Sequence, residues 1–305
     1  MVSRFAREAE FRQGVYEVGG QPTLYDPVFT RQTVPEAVLR HEEVHQNLAL
    51  GTSHGVLTLI LTEFAKVANA GASLAACENT QWYAQELGAT YAELAYIQRV
   101  APADFAASVQ LLPSAAKDDD PYREAFDFAT WLLPLDDEAR REHLDQRTLT
   151  IGAFCSCSMS TACLSELAGA DFDDARFASW ITNNSPDRRL EQIGRAAGPA
   201  SFLVLATIMA KRLTQVTPTE QLLRDLFDEL SGEMLAHVPG LTAEPRSQLE
   251  AQARAAVNRL RKTCPEFVFD VADSLRPSGP LFTESPEKRR LLEEEFRFDD
   301  LATGN

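Results

Sequence analysis

Positive charge is what this sequence has least of. Its 29 lysines and arginines stand against 45 aspartates and glutamates, a formal net charge of −16. A surface of that sign repels phosphate backbones and anionic headgroups, which argues against nucleic acid and acidic membranes as main partners. Long apolar runs are missing as well. The most apolar window, Val56–Val67, is broken by Thr58, Thr62, Glu63 and Lys66, and Ser201–Ala210 is shorter still. Neither can cross a bilayer. The first ten residues lack the apolar stretch of a signal peptide. Only five cysteines occur, an odd number without paired spacing, which fits a reducing cytoplasm better than secretion. The motifs G-x-x-x-x-G-K-[ST], G-x-G-x-x-G and G-x-S-x-G are all absent, so phosphate-loop chemistry and a serine nucleophile elbow are excluded. There is no internal repeat and no low-complexity tract.

What is there suffices for a packed core. The 305 residues are 45% apolar and 24% charged, enough for one large domain or two ordinary ones. Strand candidates sit at the front: Gly14–Gly20, then Gln21–Thr30 with two prolines, reads as an extended or hairpin-like entry. Helical periodicity follows. Thr33-Val34-Pro35-Glu36 has the form of a capping box with proline in the first turn, and Gly51 is a natural stop, which predicts a helix over about Val34–Leu50. A second helix over roughly His54–Asn69 is apolar nearly all round and therefore buried. A third runs from Asn79 or Thr80 to about Val100. Further helices are predicted near Pro121–Leu133, Asp136–Gln146, Arg188–Leu213, Thr219–His237 and Glu244–Lys262. Pro277–Pro286 reads as a connector and Glu287–Asp300 as a charged, frayed helix or tail.

The first helix contains His41-Glu42-Glu43-Val44-His45, which is H-E-x-x-H. Residues four apart share a helix face, so both imidazoles can reach one metal ion, and Glu42 sits one step round, where it can serve as general base to a metal-bound water. Ala37, Val38, His41, Val44, His45 and Leu48 follow the i, i+3, i+4, i+7 spacing of a buried face, whereas Arg40, Glu43 and Asn47 fall on the other. Two core histidines beside an inward-leaning glutamate are costly to bury without a cation. A zinc site needs a third protein ligand. In the longer H-E-x-x-H-x-x-G-x-x-H pattern it would be a histidine at position 51, which is Gly51. His54 lies just past the helix end and is an alternative ligand. The third helix offers Glu86 and Glu93 on one stripe with Trp82, Ala89 and Ile97, two carboxylates two turns apart, with a small residue between them that lets a neighbouring helix approach.

His41–His45, followed by Glu86-Leu87-Gly88-Ala89-Thr90-Tyr91, resembles the gluzincin pattern of zinc metallopeptidases over about residues 41–100. The resemblance implies His41, His45 and Glu86 as ligands of Zn2+, Glu42 as base, and Glu93 as a carboxylate orienting a ligand histidine. It also implies a strand beside the site that pairs with substrate backbone, for which Val15–Val18 is the candidate. Tyr83, Tyr91, His143 and His237 are candidates for stabilising the oxyanion. The expected fold is mainly α with a small N-terminal β element: a zincin-like site between two packed helices, followed by a helical bundle. Residues 1–115 are read as the catalytic core, 116–276 as a helical portion able to pack on it, and 277–305 as connector and tail.

Two other readings stand beside a peptidase acting on a peptide or protein substrate. Two histidines and one carboxylate also suit Fe2+, and some 2-oxoglutarate-dependent peptide hydroxylases resemble this chain in the H-E-x-x-H motif alone. A helical interaction protein with a structural metal would use the portion after Val100 to hold a regulatory partner. Cys155, Cys157 and Cys163 read as small buried hydrophobes, Asp118–Asp120 as a solvated helix start, and Arg140–Glu142 and Lys288–Arg290 as solvated faces.

Overall fold

Thr52 ends one helix and begins the next. Its side-chain oxygen donates to the Leu48 carbonyl (2.6 Å) and accepts from the Gly55 amide (3.2 Å). This joins α1 (Thr33–Gly51) to α2 (Ser53–Phe64) through the single buried residue Thr52. Gly55 has no substitute at that corner, because a Cβ would lie 2.5 Å from the Ala49 backbone. The computed structural model describes residues 14–16, 22–25, 33–102, 105, 125–127, 129–130, 133, 144–169, 171–190, 245–277 and 281–283. These are mainly helical. The chain continues through α3 (Gly71–Asn79), α4 (Trp82–Val100), α5 (Leu144–Met159), α6 (Cys163–Gly169), α7 (Asp174–Asn183), α8 (Arg246–Thr263) and α9 (Val271–Ser274).

Three short strands, β1 (Gly14–Tyr16), β2 (Pro22–Tyr25) and β3 (Leu281–Thr283), form one sheet in the order β1-β2-β3. β1 pairs antiparallel with β2, Val15 opposite Thr23; β2 pairs parallel with β3, Leu24 opposite Phe282. Both β1 and β2 contact α1. A strand therefore lies inside the stretch predicted as a Pro/Gly connector. Pro277 and Pro286 flank it rather than interrupt it, as strand geometry requires.

The helices gather round two centres. α2 is the hub of an apolar core: Val56, Leu57, Ile60, Leu61 and Phe64 pack with Leu164 and Leu167 of α6, Phe177 and Ile181 of α7, and Leu249, Val257 and Leu260 of α8. Phe64 meets Phe172 and Phe267 edge-on, with centroids 5.3 and 5.0 Å apart. The second centre is the seam where α1 lies against α4, with α5 touching both. Gly88 makes that approach close. A Cβ there would sit 3.3 Å from Val44 Cγ1 and 3.3 Å from Cys155 Sγ, so the helices meet over a missing side chain. The small residue that matters is thus one position before Ala89.

The predicted helices over Val34–Leu50, His54–Asn69, Asn79–Val100 and Glu244–Lys262 correspond to α1, α2, α4 and α8, with α2 ending earlier, at Phe64. α3, α6, α7 and most of α5 were not anticipated. In α3 and α6 the Ala, Ser, Cys and Gly content blurs the apolar period on which the prediction rests. The stretches 191–244 and 284–305 lie outside the described residues, as do Asp118–Asp120, Arg140–Glu142 and the side chains of Thr33–Pro35. Among the described residues no helix is long and apolar enough to cross a membrane.

Candidate metal centre

The period of α1 places its histidines where the sequence predicts. Ala37, Val38, His41, His45 and Leu48 are buried, Arg40 and Asn47 exposed, and Val44 and Glu43 half-buried. The buried surface is wider than one stripe, because Glu42 and Gln46 are buried too. On α4, Glu86, Ala89, Glu93 and Ile97 of the predicted stripe are buried and Trp82 is half-buried, and Gln85, Thr90 and Tyr91 bury beside them. Glu86 is 0% exposed, the deepest ionisable group of the seam.

His41, His45 and Glu86 converge. Each offers one ligand atom within 4.8 Å of the other two, and the group could hold a metal ion. His45 Nε2 lies 3.1 Å from His41 Nε2. Glu86 brings Oε2 to 3.6 Å from His41 Nε2 and Oε1 to 3.7 Å from His45 Nε2. Two nitrogens bonded at about 2.0–2.1 Å to one tetrahedral ion stand about 3.3 Å apart, so the spacing suits a common ion.

The far side of each ring is held as well. His41 Nδ1 is 3.0 Å from Glu93 Oε2, and His45 Nδ1 is 3.0 Å from Gln85 Oε1. A carboxylate and an amide oxygen only accept, so both Nδ1 atoms donate. Each neutral ring then turns its Nε2 lone pair toward the other, an arrangement that calls for a proton or a cation between them. Electrostatics points the same way. Burial alone would push the His41 imidazole down. The hydrogen bond and charge of Glu93, with the charges of Glu86 and Glu42, outweigh it and hold the pKa at about 9 instead of 6.5.

Glu93 meets His41 at Nδ1, on the side of the ring away from His45. Glu42 is buried, with its charge acting on His41. Gln85 was missed: the sequence shows an amide beside Glu86, but only the register of α4 against α1 aims it at a histidine. His54 is not brought to the group. The corner at Thr52 carries it into the first turn of α2, where Nε2 donates to the Cys77 carbonyl (3.3 Å). Tyr83 is half-buried and Tyr91 buried; His143 and His237 lie outside the described residues. Cys155, Cys157 and Cys163 are buried thiols outside any disulfide, with burial pushing the Cys155 and Cys163 thiols up to about 12. These thiols belong to the packing, not to the metal group. Compared with protein-family models, with curated proteins and with solved structures, the chain matches none.

Proposed function

We propose that this chain is a metal-dependent hydrolase, with zinc held by His41, His45 and Glu86 and a peptide bond as its target. The observation that carries the reading is the pair of Nε2 atoms 3.1 Å apart, each ring fixed from behind, with the Glu86 carboxylate 3.6–3.7 Å from both. A bound zinc would supply Lewis acidity and a water acidic enough to ionise near neutral pH. Glu42, adjacent to His41 and buried, would be the carboxylate to accept a proton from such a water and to pass it to the leaving amine. Glu93 and Gln85, by accepting from Nδ1 of each ring, would leave both Nε2 atoms available to hold the ion. The resemblance of His41–His45 and Glu86 to the gluzincin pattern supports the same assignment. Five buried cysteines among the described residues, none in a disulfide, suit a reducing, cytoplasmic setting.

The test is elemental analysis of the full chain purified without added metal, followed by peptide cleavage with two variants. Zinc near one per chain is expected, lost in Glu86→Ala. Glu42→Gln is expected to keep the zinc and lose cleavage. Full activity in Glu42→Gln overturns the mechanism. Iron in place of zinc, with consumption of 2-oxoglutarate, moves the assignment to a hydroxylase. No uptake of either metal leaves a helical interaction protein.

A further inference from the structure

α4 carries both Gln85 and Glu86 in its first turns, yet it begins without a cap of its own. Gln81, at the N-cap position, makes no side-chain capping bond. The missing acceptor comes from about a hundred residues later. Asp187 Oδ1 accepts from the Ala84 amide (2.9 Å), and the Asp187 amide donates to the Thr80 carbonyl (3.1 Å). Asp187 is itself fixed in a helical turn that opens at residue 186, where Ser185 Oγ accepts from the Arg188 amide (3.3 Å). Two residues on, Arg189 donates to the Cys157 carbonyl near the end of α5 (3.2 Å). One short turn thus grips the start of α4 and the end of α5, the helix that touches Gly88 through Cys155.

A second cap of the same design serves as the comparison. α3 also lacks a side-chain cap from its own N-cap residue, Ala70. Asp174 supplies it, accepting from the Ala72 and Ser73 amides (3.1 and 2.8 Å) and from Ser73 Oγ (2.7 Å). Both aspartates close an orphaned helix start across the fold. Only the Asp187 cap lies within two residues of a candidate metal ligand.

We propose that Asp187 is a positioning residue of the metal group: by fixing the first turn of α4 it sets where Gln85 and Glu86 meet the histidines of α1. This inference rests on the metal-site reading above. Removing the Asp187 cap frees that turn to fray or rotate, which moves the Glu86 carboxylate and the Gln85 amide together. Removing the Asp174 cap loosens α3, which touches α2 and α7 and carries no ligand.

The experiment titrates Zn2+, and Co2+ as a visible probe, into metal-free full-length chain, comparing wild type, Asp187→Ala, Asp187→Asn and Asp174→Ala. Asp187→Ala is expected to weaken Zn2+ binding by about tenfold or more, in the range of outer-shell substitutions, and to alter the Co2+ absorption spectrum. Asp187→Asn keeps an acceptor oxygen and is expected to restore both. Asp174→Ala is expected to lower the melting temperature by a similar amount while leaving affinity and spectrum as in wild type. If Asp187→Ala does not fold, Asp187→Glu, which moves the carboxylate one methylene out of register, is read against the same expectation. Wild-type affinity and spectrum in the Asp187 variant, or an equal loss in Asp174→Ala, overturns the inference. A wild-type chain that takes up neither metal overturns the metal-site reading, and the inference with it.

Discussion

The apolar core around α2 and the polar seam between α1 and α4 bury their side chains equally well, to opposite ends. Ile60 and Leu61 are 0% exposed in the core, and Glu86 is 0% exposed in the seam. In the core every such group gains by leaving water, at about 25 cal/mol per Å2 of apolar surface. In the seam His41, Glu42, His45, Gln85, Glu86 and Glu93 each cost free energy to dehydrate, and the hydrogen bonds among them only partly return it. A chain that needed stability alone would fill α1 against α4 as it fills α2 against α8. Keeping six polar groups there marks the seam as a place built for more than packing, as a group able to hold a metal ion would require.

The widest separation between the regions should come from Glu86→Ala. It removes the carboxylate that lies 3.6–3.7 Å from both Nε2 atoms, and stoichiometric zinc binding should disappear, a loss of more than about a hundredfold and so larger than outer-shell changes give. The gap in melting temperature between zinc-loaded and chelator-treated protein should close with it, because metal stabilises only a state that binds it. Calorimetry with and without chelator reads both effects. If Glu86→Ala kept the gap, the seam would not be the metal's seat, and its polar groups would need another explanation.

The converse change lies in the core. Phe64→Ala removes a ring packed edge-on against Phe172 and Phe267. It should cost about 3–5 kcal/mol in urea melts while leaving zinc stoichiometry untouched. A change in metal content would show that the two centres are coupled.

His54 is a histidine buried in the core, and so the direct contrast to His41. Burial first, and then the charge of Arg189, lower its pKa to about 4, against the pull of the Cys77 carbonyl. His41, equally enclosed but faced by three carboxylates, is raised to about 9. Above pH 6.5 His54 is neutral whether the chain is folded or not. As pH falls from 6.5 toward 4 the unfolded chain takes up a proton that the folded chain refuses, so stability drops through that window. The drop attributable to His54 is about 3 kcal/mol by pH 4. Urea melts at pH 7, 5.5 and 4.5 should show a shallower decline in His54→Gln than in wild type. Parallel declines would mean that the site admits the charge.

The sequence made the seam readable and the wiring behind it unreadable, for a physical reason. His41 and His45 are related by helix geometry inside one element, and Glu86 and Glu93 by the same geometry inside another, so each pair is visible in spacing alone. Gln85 reaching His45, Gly88 in place of Ala89 at the close approach, and Asp187 capping α4 depend on how elements pack across forty to a hundred residues. No local period encodes that. Helix assignment failed where the elements are short: α3 spans Gly71–Asn79 and α6 Cys163–Gly169, too brief for an apolar period to repeat over several turns. His54 shows a further limit: one corner at Thr52 decided which centre it joined, and nearness in sequence to His45 was a poor guide.

The smallest effects should arise behind the rings, where charge and geometry can be separated. Gln85→Leu removes the acceptor for His45 Nδ1, leaves that N–H facing carbon, and frees the ring to turn; zinc affinity should fall by roughly 10–100-fold. Glu93→Gln is milder. The amide oxygen can still accept from His41 Nδ1 at the same place, so the ring stays aimed and only the negative charge is lost. That charge supports a cation at the Nε2 pair, whether proton or metal, so its removal should weaken zinc binding by about tenfold, the lower end of the same range. Competition with a chromophoric chelator resolves the two. A Glu93→Gln loss as large as that of Gln85→Leu would mean that the seam binds metal chiefly through its net charge. A clearly smaller loss would mean that the aim of the rings matters more, which is what the paired 3.0 Å contacts from one carboxylate and one neutral amide lead us to expect.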